Sequence, residues 1–388
     1  MSTADETTSD PARRIQFAFT EEQEQFRSVL RRFLDDKSPT TEVRRLMDTA
    51  EGYDPEVWRQ LSGDLALPGI HLPQRYGGAG FGMVELGMVM EELGRALLCA
   101  PYFSTAVLAA NAILNAGTQA QKASLLPDIA SGARLATLAV TELNGDWDPR
   151  GIELSAAAVA DGYLLDGVKS YVVDGHVADL LIVAARVSVG RDGLALFTLP
   201  ADAAGIKRRL LKSVDATRKI ARIDFHNAHA ELLGNLNDGA KALTRTLDQA
   251  AIALSNEMVG GAQKLLDSAV NYAKMRVQFG RTIGSFQAIK HRLADLLLEV
   301  ELAKSAAYYA AQAAAVEDPE WPALASMAKA AVSDTYMHTA RECIQIHGGI
   351  GFTWDNDTHL WFKRAKGSEV FLGQPSYHRE LLMQRWRV

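Results

Sequence analysis

Two stretches of this chain carry side chains whose types and spacing suit the binding of an anion. In RVQFGRTIGSFQAIKH, residues 276–291, Arg276 and Gln278 stand where a helical pattern breaks at Phe279-Gly280. Ser285 is placed to cap the next helix, and Gln287 falls in its first turn. An arginine beside a helix N-terminus combines a planar guanidinium with amides that lack a partner inside the helix, and the two together can grip a diphosphate. A helical hairpin with a glycine turn accounts for the same residues without any ligand. In QIHGGIGFT, residues 345–353, Gln345 ends a helical pattern, and Gly348-Gly349 either lets backbone come close to a ligand or serves only as a helix C-cap. His347 reads as a packed or turn histidine, because no carboxylate, serine or cysteine partner is evident. A third stretch, EVFLGQPSYHREL (369–381), has Gly373 and Pro375 marking a turn between two helical patterns, a place that often holds catalytic groups. The residue at its head is Leu372, which can neither take nor give a proton.

The frame that must position these residues is an ordinary globular one. The chain has 388 residues, enough for two or three domains, with 48% hydrophobic and 23% charged residues. A net charge of −6 argues against wholesale binding to nucleic acid or anionic membrane. No apolar run approaches the ~20 residues of a membrane span. The start, MSTADETTSDPARR, has no apolar core and reads as a disordered tail over residues 1–15. Cys99 and Cys343 lack metal-ligand spacing, so no metal site is expected and a reduced, cytoplasmic setting is.

Periodicity divides the rest into three. Residues 16–133 read as helical. Thr20 and Gln23 have capping-box spacing, Asp54-Pro55 opens a helix, and Thr118 and Gln121 cap another. Residues 134–238 change to short β-rich runs separated by ADG, DGH and RDG turns, the pattern of an antiparallel sandwich or barrel. Residues 239–388 return to long helices, the first of them longer than a typical globular helix. Gly260-Gly261 in its middle suits either close helix packing, the favoured reading, or room for a bulky ligand group, and GIKRRLLK (205–212) suits a charged strand edge better than a phosphate site.

Taken together, FTEEQ, YGGAGFG…EELGRAL, AVTE, RVQFGRTIGSFQAIKH and QIHGGIGF resemble the acyl-CoA dehydrogenase family, in its order and at its spacing, from about residue 16 to the end. The resemblance implies a multi-domain α+β fold: an N-terminal all-α domain, a middle β-domain and a C-terminal four-helix bundle. It also implies FAD bound between subunits of a dimer that doubles to a tetramer, an acyl-CoA substrate, and an electron-transferring flavoprotein as acceptor. Carried over by residue, Val140 and Thr141 would meet the pyrimidine side of the flavin. Arg276, Gln278, Phe279 and Gln287 would reach the diphosphate and adenine of a neighbour's FAD, as would Gln345, Ile346, His347, Gly348 and Gly349. Gln374 and Ser376 match positions that touch FAD, with different residue types.

The resemblance also marks what is missing. Relatives remove the substrate α-proton with a glutamate at the position of Leu372, or in a minority at the position of Ala250, and both addresses are empty here. The motif that covers the flavin has become Tyr171-Val172-Val173: Tyr171 can stack on a ring, while Val173 cannot donate a hydrogen bond. The turn after Thr141-Glu142 has become LNGDWDP. Glu369, three residues before Leu372, and Glu257, about two turns beyond Ala250 on the long helix, are the candidate relocated bases, with Lys363, Arg364 and Lys366 as expected surface partners of Glu369. The reading that follows is a subunit without its own base, working beside a base-bearing homologue as in heteromeric steroid-degrading members of the family. A homotetrameric flavoprotein with changed chemistry and a flavin-free scaffold are the alternatives.

Overall fold

The computed structural model describes residues 19–187 and 193–387. The tail expected over residues 1–15 and most of the RDG turn lie outside the described residues. Six helices come first: α1 (Glu21–Lys37), α2 (Thr40–Met47), α3 (Pro55–Gly63), α4 (Met83–Ala96), α5 (Ala110–Ala116) and α6 (Gln119–Ala130), with a π-helical turn, Phe103–Ala109, leading into α5. The local signals act where the sequence places them. Thr20 and Gln23 exchange both bonds of a capping box at α1, and Thr118 and Gln121 do the same at α6. Asp54 accepts from the backbone of Glu56 and Val57 ahead of Pro55.

Seven strands follow: β1 (Ala136–Ala139), β2 (Ser155–Val159), β3 (Gly162–Val173), β4 (Leu180–Val187), β5 (Leu194–Pro200), β6 (Ile206–Leu211) and β7 (Ile220–Leu233). The ladder β4-β2-β3-β7-β5 returns to β4, so these five strands close on themselves as a small barrel. Most pairings are antiparallel, but β4 runs parallel to both β1 and β2. Leu154, Leu165, Val183, Phe197, Ile223 and Phe225 fill the interior. β6 pairs only with β7 and alternates in exposure, a charged edge strand. Thr105 Oγ1 bonds both the carbonyl (3.1 Å) and the amide (3.2 Å) of Ala136, which ties the π-turn to β1.

The last third holds α7 (Gly239–Met275), a two-residue hairpin β8 (Val277–Gln278) and β9 (Arg281–Thr282), then α8 (Gln287–Ala315), α9 (Trp321–His347), α10 (Thr358–Val370) and α11 (Pro375–Trp386). α9 packs on α7, α8, α10 and α11. α4 crosses α7 at backbone contact: a Cβ on Gly260 would sit 1.8 Å from the carbonyl oxygen of Glu91, and one on Gly94 2.0 Å from that of Glu257. Gly260 is thus a packing glycine, as is Gly261 against Tyr336.

Two local readings are corrected. The expected helix break at Phe279-Gly280 is a hairpin turn: α7 has already ended at Met275, and Phe279 and Gly280 take φ of 53° and 76° to reverse the chain between β8 and β9. Ser285 does not cap α8; its hydroxyl donates to Thr282 O (2.6 Å), and Phe286 stands at the N-cap.

Candidate active site

The residues singled out in the sequence fall on two separate surfaces. The first faces outward. Arg276, Gln278 and Phe279 on the β8–β9 hairpin are exposed, Phe279 to 91%. The Arg281 guanidinium stacks at 4.0 Å on Phe286, which holds the hairpin against the start of α8. Gln287 is the first residue of α8, exposed, and no side chain caps that helix, so its leading amides are open to a ligand. Gln345 is exposed on the last turn of α9, which runs two residues further, to His347. A Cβ on Gly348 or Gly349 would meet nothing within 4 Å, so the backbone there faces open space. Ile346 and His347 are buried, and that segment offers outward only its backbone. His347 stacks on Tyr272 at 4.3 Å, and its Nδ1 donates to Cys343 O at 2.8 Å. Cys343, one turn earlier, is the neighbour that the sequence pattern did not reveal, with Sγ 3.7 Å from Nδ1. Burial pushes that thiol up to about 12, so it is not a nucleophile.

The second surface is an inner cavity of about 250 Å³ between the barrel and α10. Thr141, Tyr171 and Val173 line its barrel side, and Gly367, Val370 and Phe371 its helical side. Thr141 is buried and donates its hydroxyl to Ser170 O (2.6 Å). Val140 is buried, and its carbonyl accepts from Lys169 Nζ at 2.7 Å. Tyr171 sits in the left-handed region (φ 59°) with 42% of its surface exposed.

Behind the cavity lies a buried charge cluster. Arg364 donates to Asp215 (2.6 Å), Glu257 (2.8 Å) and Thr217 (2.7 Å). Arg218 donates to both oxygens of Glu257, each at 2.5 Å, and its guanidinium lies 5.4 and 5.3 Å from the rings of Phe103 and Phe371. Burial opposes ionisation of Asp215, but Arg364 and Arg218 outweigh it and hold that carboxyl below its ordinary range. Asp174, close by, is pushed up to about 6 by burial, although the Ser104 hydroxyl donates to it at 2.7 Å. Arg364 is therefore not a surface partner of Glu369: it is 4% exposed at the centre of this cluster. Glu369 pairs instead with Lys366, one turn earlier on α10.

Leu372 lines a separate, outer cleft of about 310 Å³ with Trp147, Asp248, Tyr377 and Arg385. It is 3% exposed and held in the left-handed region (φ 61°), a conformation that costs a non-glycine residue of order 1–3 kcal/mol unless its surroundings impose it. They do so here. His378 Nε2 donates to Leu372 O (2.9 Å), and buried Lys329 Nζ donates to Gly373 O (3.1 Å), Glu369 O (3.2 Å) and Ser333 Oγ (3.0 Å). Ala250 is fully buried in α7. Gln374 and Ser376 are exposed at the start of α11. Sequence reasoning missed Asp215, Arg218 and Trp147; of these only Trp147 left a signal, in the altered turn after Thr141-Glu142.

Three family signatures cover the chain in order. The N-terminal domain of acyl-CoA dehydrogenases matches residues 20–133, the middle domain 137–228 and the C-terminal domain 237–386. The chain belongs to the acyl-CoA dehydrogenase family. Acyl-CoA dehydrogenase IpdE2 of Mycolicibacterium smegmatis is 32% identical over 356 residues, 92% of this chain and 96% of that one. Among solved structures, butyryl-CoA dehydrogenase from Megasphaera elsdenii superposes with a TM-score of 0.90 at 28% identity, over 96% of this chain and 100% of that one. The ChsE4-ChsE5 complex from Mycobacterium tuberculosis gives 0.87 at 25% identity, over 96% and 99%. Acyl-CoA dehydrogenases are FAD-dependent oxidoreductases, and this member's two surfaces fit that cofactor unequally. The outward surface offers a free guanidinium, uncapped amides and an open diglycine, which suit a diphosphate. The inner cavity offers a ring-stacking tyrosine and a threonine whose hydroxyl is already committed. Among the described residues no cluster of three or more His, Cys, Asp or Glu could hold a metal, and no helix is long and apolar enough to cross a membrane.

Proposed function

We propose that this chain is the base-lacking subunit of a heteromeric acyl-CoA dehydrogenase: its outward surface completes the FAD site of a homologous subunit, and that partner carries the base for α,β-desaturation of an acyl-CoA. The observation that carries the reading is the state of the carboxylates. Among the described residues lining the inner cavity the only carboxylate is Asp215, which is bound to Arg364. Glu257 is locked by two arginines and Glu369 is paired with Lys366, and Leu372 stands where the family resemblance implies the base. A base accepts a proton only if it is free to reach it, and a general base is worth about 10²–10⁴-fold in rate.

In this reading Arg276 and the backbone of Gly348-Gly349 hold the diphosphate of the partner's FAD, Gln278 and Gln345 hold its adenosine part, and Phe279 covers it. Ile346 and His347 keep the diglycine in place from within. When bound, FAD supplies the two-electron acceptor for the β-hydrogen; the residues of this chain hold and orient it. The two-chain ChsE4-ChsE5 complex is compatible with such a division of labour. A substrate with a steroid-derived acyl group and an electron-transferring flavoprotein as acceptor belong to the same proposal.

The reading is tested by Arg276→Ala with Gln278→Ala in this chain, co-purified with its base-bearing homologue. Flavin absorbance per complex is expected to fall at least tenfold while the two chains still co-purify. Unchanged flavin content would overturn the assignment of this surface.

A further inference from the structure

We infer that Trp147 is the gate that closes this chain's inner cavity to an acyl group arriving through the outer cleft. The inference deepens the functional reading above and rests on it, since it explains why this chain's own pocket takes no part in the reaction. The inner cavity, of about 250 Å³, and the outer cleft, of about 310 Å³, are lined by different residues with one exception: Trp147 borders both. On the opposite side of the divide, Phe371 faces the inner cavity and its neighbour Leu372 the outer cleft.

The indole is braced as a wall. It meets Phe371 edge-on at 5.2 Å and 79°, and Phe371 meets Phe103 edge-on at 5.3 Å and 61°. These are the offsets that aromatic pairs prefer. The Arg218 guanidinium packs against both phenyl rings, and Glu257 holds it there. Trp147 and Phe371, just past the end of α10, thus stand as a braced aromatic pair between the two spaces, with Phe103 and Arg218 packed behind Phe371. The loop that carries Trp147 is shaped by its own short-range turns: Asn144 accepts from Asp146 N (3.1 Å), Asp146 from Asp148 N (2.9 Å) and Asp148 from Arg150 N (2.8 Å).

Size gives the wall its consequence. Pockets that hold small ligands run to roughly 300–1,000 Å³. Each space alone lies at or under the lower end of that range, and joined they would fall well inside it. Cutting Trp147 back to its Cβ removes the one side chain that both spaces share. An acyl chain could then pass from the cleft, where the charged groups Arg150, Asp248 and Arg385 stand, to the cavity bounded by Tyr171 and Val173.

The test uses the full chain and a CoA thioether with a saturated alkyl chain, a probe that can be neither oxidised nor hydrolysed. Binding is followed by equilibrium dialysis for the wild type, Trp147→Ala and Trp147→Phe, with thermal unfolding as the check that each is folded. The wild type is expected to show no saturable site, Trp147→Ala to gain one site per chain with at least tenfold tighter binding, and Trp147→Phe to stay closed because a ring still meets Phe371. If Trp147→Ala does not fold, Trp147→Leu takes its place. Equal binding by wild type and the truncated variant, or no binding by either, would overturn the gate. Acyl-CoA-driven dye reduction by the unmixed wild-type chain is measured in parallel. Turnover there would defeat the functional reading itself, whatever the thioether shows.

Discussion

Glu257→Gln separates a structural carboxylate from a catalytic one. Glu257 is 4% exposed and accepts three hydrogen bonds, two from Arg218 and one from Arg364. The cluster of Arg218, Arg364, Asp215 and Glu257 is electrically balanced, and the substitution leaves it with one uncompensated buried positive charge. Removing one partner of a buried ion pair costs about 3–5 kcal/mol. With roughly 2.1 cal/mol/K of unfolding entropy per residue, a chain of 388 residues loses about 1.2 °C in Tm per kcal/mol if it unfolds as one unit. The expected fall is then ~4–6 °C by calorimetry, and larger if one domain melts alone. A second variant, Glu257→Gln with Arg218→Met, is expected to recover part of the loss, because it rebalances the charge and leaves the Arg364–Asp215 pair intact. Turnover per folded complex with the base-bearing partner should stay within a few-fold of wild type. A relocated base would give the reverse: an unshifted Tm and a loss of about 10²–10⁴-fold in rate. That outcome would refute the assignment of Glu257 as an ion-pair partner.

The α4–α7 crossing and the loop of Leu372 give further tests. Gly260→Ala, which drives a Cβ to 1.8 Å from the Glu91 carbonyl, is expected to destabilise by at least the ~1–3 kcal/mol of an overpacked core in thermal unfolding. Gly63→Ala at the end of α3, where a Cβ meets nothing within 4 Å, is expected to be neutral or to stabilise by up to about 1 kcal/mol. Burial lowers Lys329 from its ordinary 10.5 to about 7, and Glu369 and Asp334 offset this only in part. Between pH 7 and 10.5 the unfolded chain therefore holds a proton that the folded chain lacks, so this residue makes stability rise with pH across that window and contributes no slope below it. Urea unfolding across pH 6–10 should show that component disappear in Lys329→Met; identical slopes in the two proteins would contradict it.

What the sequence made legible was local or family-borne. Thr20 with Gln23, Thr118 with Gln121, and Asp54-Pro55 specify their helix starts within four residues, so the whole signal lies in the local sequence. The order helix, strand, helix followed from periodicity alone. The ring closure of β4 with both β2 and β5 was not legible, because strand pattern tells which face is buried and not which strand lies beside it. Arg364 was misplaced for a similar reason. An arginine on a short helix is usually a surface residue, and its partners Asp215 and Glu257 come from positions 149 and 107 residues away. The turn at Phe279-Gly280 carried a readable sign, since a glycine after a bulky residue between two β-prone pairs suits a two-residue hairpin. The helical context on both sides masked it. The significance of Leu372 could not come from its own chemistry; it came from the family resemblance, which implies a glutamate at that position.

The central claim is that this chain serves a partner's flavin and removes no proton itself. The most direct measurement is acyl-CoA-driven dye reduction by the purified chain alone and by the chain co-expressed with its base-bearing homologue, with FAD quantified in both. Turnover and FAD are expected only in the two-chain complex. Acyl-CoA oxidation by the unpartnered chain, at a rate comparable to that of the complex, would contradict it.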